Sequence, residues 1–208
     1  VFLRVMLVLH LVVAPVMMPT SILVLARLTR IVDTCIQSAP LDERTPEQTA
    51  VFINSPSIIF TAYLHVLSKI DDDMPTPKRL RVLGPMSLIP VDVTVSRPDE
   101  RTLIVTPDGG YPWILTRGPD HPIPVGYRVA LTGMTVEVLS LTEDGWPASA
   151  KYTFDVPLED DSLLWLKFVD HTYEHYTPPA IGETVLLDPW DGVETRLGAR
   201  AADSGADA

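Results

Sequence analysis

The feature that most constrains this chain is a run of 22 residues without a charged side chain, Val5–Ala26. A helix needs about 20 such residues to cross the roughly 30 Å hydrocarbon core of a bilayer. Helices of a water-soluble core usually carry a polar stripe at a spacing of three or four residues, and this run has none. Pro15 and Pro19 are costly inside a soluble helix but tolerated in a membrane helix. The run therefore predicts a transmembrane helix within residues 1–32.

A cleavable signal peptide is the alternative interpretation of this run. The apolar residues continue to Leu28, which is longer than a signal-peptide core, and no convincing A-x-A cleavage site follows. The flanking arginines indicate orientation, because Lys and Arg are enriched on the cytoplasmic side of a span. Three of them follow the run (Arg27, Arg30 and Arg44), and only Arg4 precedes it. We therefore expect a cell-membrane protein whose C-terminal part faces the cytoplasm.

Charge divides the chain near residue 32. Residues 1–32 contain three arginines and no acid, whereas the whole chain has a net charge of −11. An acidic remainder argues against nucleic-acid binding, which needs a basic face. The single cysteine, Cys35, excludes an internal disulfide and a CxxC redox pair. The 20 prolines argue against a long helical bundle, since proline breaks helix interiors.

The residue pattern divides the part after the apolar run into four segments. Residues 33–48 are rich in polar residues and proline and predict a linker. Residues 49–77 predict a strand-helix unit, with a helix from Pro56 to Ile70 whose N-terminus is marked by Ser55. Residues 78–192 predict an all-β domain. Residues 193–208 are small and polar and predict a disordered tail.

The β prediction rests on alternating apolar and polar residues. Two such stretches flank Glu143–Pro147, and the Asp-Gly pair within that turn is a strong hairpin signal. Further strands are predicted at Leu163–Val169 and Thr184–Leu187. Short strands separated by turn residues are typical of a β-sandwich or an open barrel. The predicted fold is thus mainly β, with one N-terminal transmembrane helix and a short strand-helix unit.

Three stretches carry a resemblance to a known group of proteins: VFINSPSIIFTAYL, LTGMTVEVLSLTEDGWPASAKYTFDVPLEDDSLLWL and TPPAIGETVLL. They resemble the C-terminal region of large, uncharacterised polytopic membrane proteins of bacteria, over roughly residues 1–190. The resemblance implies attachment to a membrane and no particular chemistry. It assigns no catalytic residue to this chain.

Few residues are candidates for chemistry. His171 and His175 are four apart and are weak candidates for half of a metal site, although the spacing is not HExxH. Trp146 and Trp113 are weak candidates for a contact surface or the membrane interface. A Ser/His/Asp site is disfavoured, because the chain has no G-x-S-x-G elbow to accompany Asp120 and His121.

These patterns predict a membrane-anchored accessory or interaction domain, forming the C-terminal part of a larger integral membrane protein. We expect no catalytic residues, no cofactor and no metal. The expected partners are the lipid bilayer and other transmembrane helices or a membrane-protein partner, and not nucleic acid. Two alternatives remain open: a soluble domain of a membrane-bound hydrolase or transferase, or of a transporter.

Overall fold

The computed structural model describes Met6 and residues 33–71, 74–86, 91–111, 121–170 and 172–187. Over these residues the protein is mainly β, as the sequence predicted, with two sheets and few helices. Apart from Met6, the predicted transmembrane helix lies outside the described residues, as does the predicted tail 193–208. Within the described ranges, no helix has the length and apolar character needed to span a bilayer.

The described elements are short and follow one another closely. A 3-10 helix, Thr45–Glu47, precedes the first strand. One longer helix, α1, spans Ile58–Ile70. The strands are β1 Thr49–Phe52, β2 Arg79–Val82, β3 Val93–Ser96, β4 Thr102–Pro107, β5 Arg128–Leu131, β6 Met134–Leu141, β7 Pro147–Phe154, β8 Leu163–Val169, β9 Thr172–His175 and β10 Thr184–Leu187.

The smaller sheet has the strand order β2-β1-β8-β9. Strand β1 is parallel to both β2 and β8, while β8 and β9 are antiparallel. The apolar run Ala50–Ile53 is fully buried, as expected for a strand with neighbours on both sides. The predicted boundary between residues 49–77 and 78–192 therefore passes through one continuous sheet, because β1 lies between two strands of the second segment.

The larger sheet is antiparallel throughout, in the order β10-β3-β4-β7-β6-β5. The predicted hairpin is confirmed: β6 and β7 pair around the turn that holds Gly145, whose φ of 81° is the left-handed conformation that glycine adopts readily. The strands predicted at Leu163–Val169 and Thr184–Leu187 are β8 and β10.

Two apolar clusters define three layers. One cluster joins the two sheets and includes Val51 and Trp165 of the smaller sheet. The other lies on the opposite face of the smaller sheet, where Phe52 and Leu166 pack with Leu64 of α1. The smaller sheet is thus the middle layer, between α1 and the larger sheet.

Two details differ from the sequence predictions. Helix α1 begins at Ile58 and not at Pro56, because Ser55 still forms a β-bridge with Met86 and so lies in extended chain. The predicted linker 33–48 is partly packed structure: residues 33–37 are helical, and Cys35 and Ile36 belong to the cluster beneath α1. Burial of these two apolar side chains fixes the entry of the chain into the domain.

Candidate functional site

The predicted histidine pair is described only in part. His175 ends β9 with an exposed side chain, and His171 lies outside the described residues. Within the part of the chain that the structure describes, no group of three or more His, Cys, Asp and Glu side chains is arranged to hold a metal ion.

The predicted contact tryptophans are also divided. Trp113 lies outside the described residues. Trp146 is half-buried at the tip of the β6–β7 hairpin. Its amide donates to Thr142 Oγ1 over 3.1 Å, and the Thr142 amide donates to its carbonyl over 2.7 Å. These two bonds hold the backbone of the hairpin tip and leave part of the indole exposed.

A buried polar cluster beneath α1 brings together residues that sequence reasoning did not connect. The Ser55 hydroxyl donates to the Ser57 carbonyl over 3.1 Å, and its oxygen lies 3.3 Å from the Tyr173 hydroxyl oxygen. Burial raises the pKa of Cys35 to about 12, and a hydrogen bond from Tyr173 offsets only part of that rise. A thiol with such a pKa is protonated at neutral pH, so Cys35 is a packing residue and not a nucleophile.

The Cys35 thiol should therefore react with a disulfide reagent such as Ellman's reagent only when the protein unfolds. Its accessible surface is nil. The thiolate, which is the reactive form, is scarce at neutral pH because the pKa of the thiol is about 12. We expect less than one tenth of the thiol to react in native protein over the time in which urea-unfolded protein reacts completely. Rapid stoichiometric labelling of native protein would contradict this placement of Cys35.

Two tyrosine hydroxyls meet in the core between the sheets. Tyr152 donates to the Leu83 carbonyl over 2.7 Å, and the Tyr111 hydroxyl lies 2.8 Å from the same carbonyl and 3.0 Å from the Tyr152 hydroxyl. Burial raises the pKa of both groups, that of Tyr152 to about 12. Both hydroxyls stay neutral at physiological pH, so the pair satisfies a buried carbonyl and offers no base for catalysis.

A buried arginine organises one end of the larger sheet. Arg97 is only 4% exposed, and its guanidinium binds both carboxylate oxygens of Glu159. The remaining guanidinium hydrogens bind backbone carbonyls, including Pro179 O at 3.1 Å. Hydrogen bonding to Arg97 lowers the pKa of Glu159. With its donors occupied, Arg97 joins the turn after β3 to the loop before β10, although an open groove of about 610 Å³ lies beside it.

Another concave feature is a cleft of about 170 Å³ at the free edge of the smaller sheet, here called the β2 cleft. It is lined by three cations in and beside β2 and by polar and apolar groups of the facing sheet. These cations are Lys78, Arg79 and Arg81. Arg79 and Arg81 pair with Thr49 and Val51 of β1, so they lie on the sheet face that packs toward the larger sheet.

Two carboxylates, Glu47 and Asp155, also line the β2 cleft. Among the described residues, neither they nor any other acid forms an ion pair with Lys78, Arg79 or Arg81. Burial and the neighbouring charge of Arg79 lower the pKa of Arg81. The cleft therefore holds two guanidiniums that repel each other and form no ion pair with the carboxylates that line it.

Sequence reasoning missed the β2 cleft because a short basic strand resembles any solvated edge strand. The pattern that could have indicated the cleft is the alternation in residues 78–82. Arg79 and Arg81 are two residues apart, and the apolar Leu80 and Val82 alternate with them. On a strand, this places both guanidiniums on one face and the apolar side chains on the other. Only the parallel pairing with β1 shows that the face with the arginines is the inner one.

One face of α1 is apolar and exposed, and is here called the α1 stripe. It consists of Tyr63, Val66 and Ile70, which are 50%, 49% and 72% exposed. Their spacing places them along one side of the helix, beside the buried face that contains Leu64. Since three adjacent exposed apolar side chains are unfavourable in water, the α1 stripe is a candidate contact surface.

Comparisons of this chain with protein-family models, with curated proteins and with solved structures found no match.

Proposed function

We propose that this chain is a membrane-anchored accessory or interaction domain that works by contact and carries no catalysis of its own. In this proposal Val5–Ala26 crosses the cell membrane, and a β-sandwich of two sheets with α1 on its outer face lies on the cytoplasmic side. The domain belongs to a larger integral membrane protein and contacts other transmembrane helices.

The observation that carries this proposal is the small number of residues between the apolar run and the cluster beneath α1. Only residues 27–32 separate Ala26 from the helical residues 33–37. Ile36 packs in the same cluster as Leu64 of α1, so the chain enters the domain in the helical layer. At about 3.3 Å per residue, six residues span roughly 20 Å at most. A membrane helix ending at Ala26 would therefore hold α1 close to the bilayer surface.

The exposed side chains of the α1 stripe fit that position. Tyr63 has an aromatic ring with a polar tip, as is common at the interface between hydrocarbon and water. Val66 and Ile70 would lose their contact with water there, and Lys69 would keep its ammonium among the headgroups while its methylenes pack on apolar surface. The proposed contact is therefore an amphipathic helix lying along the lipid surface.

A site-specific fluorophore tests this contact in full-length protein reconstituted in lipid nanodiscs. An acrylodan label on Val66→Cys should show a blue-shifted emission and quenching by brominated lipid, because the probe enters the interface. The matched control is Val129→Cys on β5. Val129 is 39% exposed and lies in the larger sheet, whereas α1 packs on the smaller one. Buried Cys35 leaves the introduced thiol as the reactive one. Equal emission and quenching at both positions would contradict the lipid contact.

The anchor itself is tested separately by carbonate extraction of membranes from cells expressing the full chain. We expect the protein to stay in the membrane pellet and to need detergent for release. Recovery of intact, monomeric protein in the carbonate supernatant would refute the membrane helix, whatever the fluorophore at position 66 reports.

A further inference from the structure

The β2 cleft concentrates positive charge in a strongly acidic protein. The chain carries 27 acidic and 16 basic residues, yet Lys78, Arg79 and Arg81 all line one small cleft. Several exposed cations elsewhere in the described residues have acidic neighbours, as Arg128 has Glu137. A carboxylate partner is thus common on the described surface, and its absence beside Arg79 and Arg81 leaves room for an external anion.

The donors of Arg81 are only partly used by the protein. Its Nη1 donates to the Leu80 carbonyl and its Nη2 to the Thr132 carbonyl, each over 3.0 Å. Its Nε is out of contact with solvent and has no acceptor within the described residues. A buried N–H without an acceptor costs free energy, so this donor is the part of Arg81 whose hydrogen-bonding capacity the described residues leave unused.

We propose that the β2 cleft binds a phosphate monoester group, held by the guanidiniums of Arg79 and Arg81 with the ammonium of Lys78 at the exposed end. The hydroxyl of Thr49, which also lines the cleft, supplies a neutral donor to the same group. This inference concerns a ligand of the domain and does not depend on the membrane contact of α1.

Charge and size favour a phosphate over other anions. A phosphate monoester carries about −1.5 to −2 charges at neutral pH and three acceptor oxygens, which suits two arginine forks better than a single carboxylate does. The volume of about 170 Å³ is large enough for one such group. The net charge of −11 on the whole chain would repel a long polyanion, so nucleic acid is disfavoured as the ligand.

Calorimetric titration of the full chain in detergent tests the proposal and distinguishes two sources of the phosphate. One arm uses glycerol 3-phosphate, and the other adds phosphatidic acid to the detergent micelles, with phosphatidylcholine as the comparison lipid. We expect saturable binding in at least one arm. Arg79→Gln should weaken it about tenfold or more, which is the loss expected for one charge-assisted contact. Arg128→Gln, an equal change of charge at an exposed site, should leave it unchanged.

Each outcome decides the proposal. The Arg79 side chain has no ion pair within the described residues, so Arg79→Gln should fold even if Arg81→Gln does not; a thermal melt verifies this. Binding lost in Arg79→Gln and retained in Arg128→Gln supports the site. The absence of saturable binding in both arms, up to about 10 mM ligand, overturns it. Equal weakening by both variants, or binding of succinate in place of the phosphates, also overturns it.

Discussion

Replacing Gly84 by Ala should lower the free energy of unfolding by about 3 kcal/mol, because the added methyl group meets fixed backbone. A Cβ at this position would lie 2.2 Å from the carbonyl oxygen of Ile53. That peptide segment cannot move away freely, since the Ile53 amide donates to Leu166 O and the Leu83 amide donates to Phe52 O, each over 2.9 Å. Urea unfolding of the full chain in mild detergent, followed by tryptophan fluorescence, measures the loss.

The matched control for this substitution is Gly109→Ala. Nothing lies within 4 Å of a Cβ built at Gly109, but its φ of 71° is unfavourable for alanine. The expected cost there is about 1 kcal/mol, from backbone conformation alone. If the two variants were equally stable, the close approach between Gly84 and Ile53 would not hold in the folded protein.

Replacing Asn54 by Ala should also lower the free energy of unfolding by about 3 kcal/mol. The Asn54 amide nitrogen donates to Phe168 O over 3.1 Å, and its amide oxygen accepts from Phe168 N over 2.7 Å. Asn54 is only 8% exposed, so in the variant both backbone groups of Phe168 lose a partner where water does not readily replace it. The same urea experiment measures the change.

Gln37→Ala provides the control for the loss of an amide side chain. Gln37 is exposed, and its replacement should change the free energy of unfolding by less than about 0.5 kcal/mol. A similarly small effect of Asn54→Ala would mean that the two bonds to Phe168 contribute little, and that Asn54 does not hold the ends of β1 and β8 together.

The parts of this fold that depend on neighbouring residues could be predicted from the sequence. The β6–β7 hairpin is specified by the turn around Gly145 and by alternation on both sides of it, within 21 residues. The last residue of α1 could be predicted because the apolar spacing stops at Ile70 before three acids. In both cases the decisive contacts lie close along the chain.

The parts that depend on distant contacts could not be predicted. Nothing in the residues of β1 indicates that its second neighbour is β8, more than 100 residues later, so residues 49–77 resembled a separate unit. Cys35 and Ile36 stand in a polar, proline-containing context that is typical of a linker, and only the space beneath α1 explains their burial. The β2 cleft has the same origin, since β1 determines which face of β2 turns inward.

The central position of β1 imposes an order on folding during synthesis. The β3–β4 and β6–β7 pairs join strands that are close along the chain, so they can form early. Strand β1 leaves the ribosome first but cannot acquire its second neighbour until β8 has been translated. For most of that interval the apolar residues 50–53 lack the contacts with β8 that help to bury them in the folded protein. The chain is therefore prone to aggregate through this segment. A chaperone would have the greatest effect on yield during that interval.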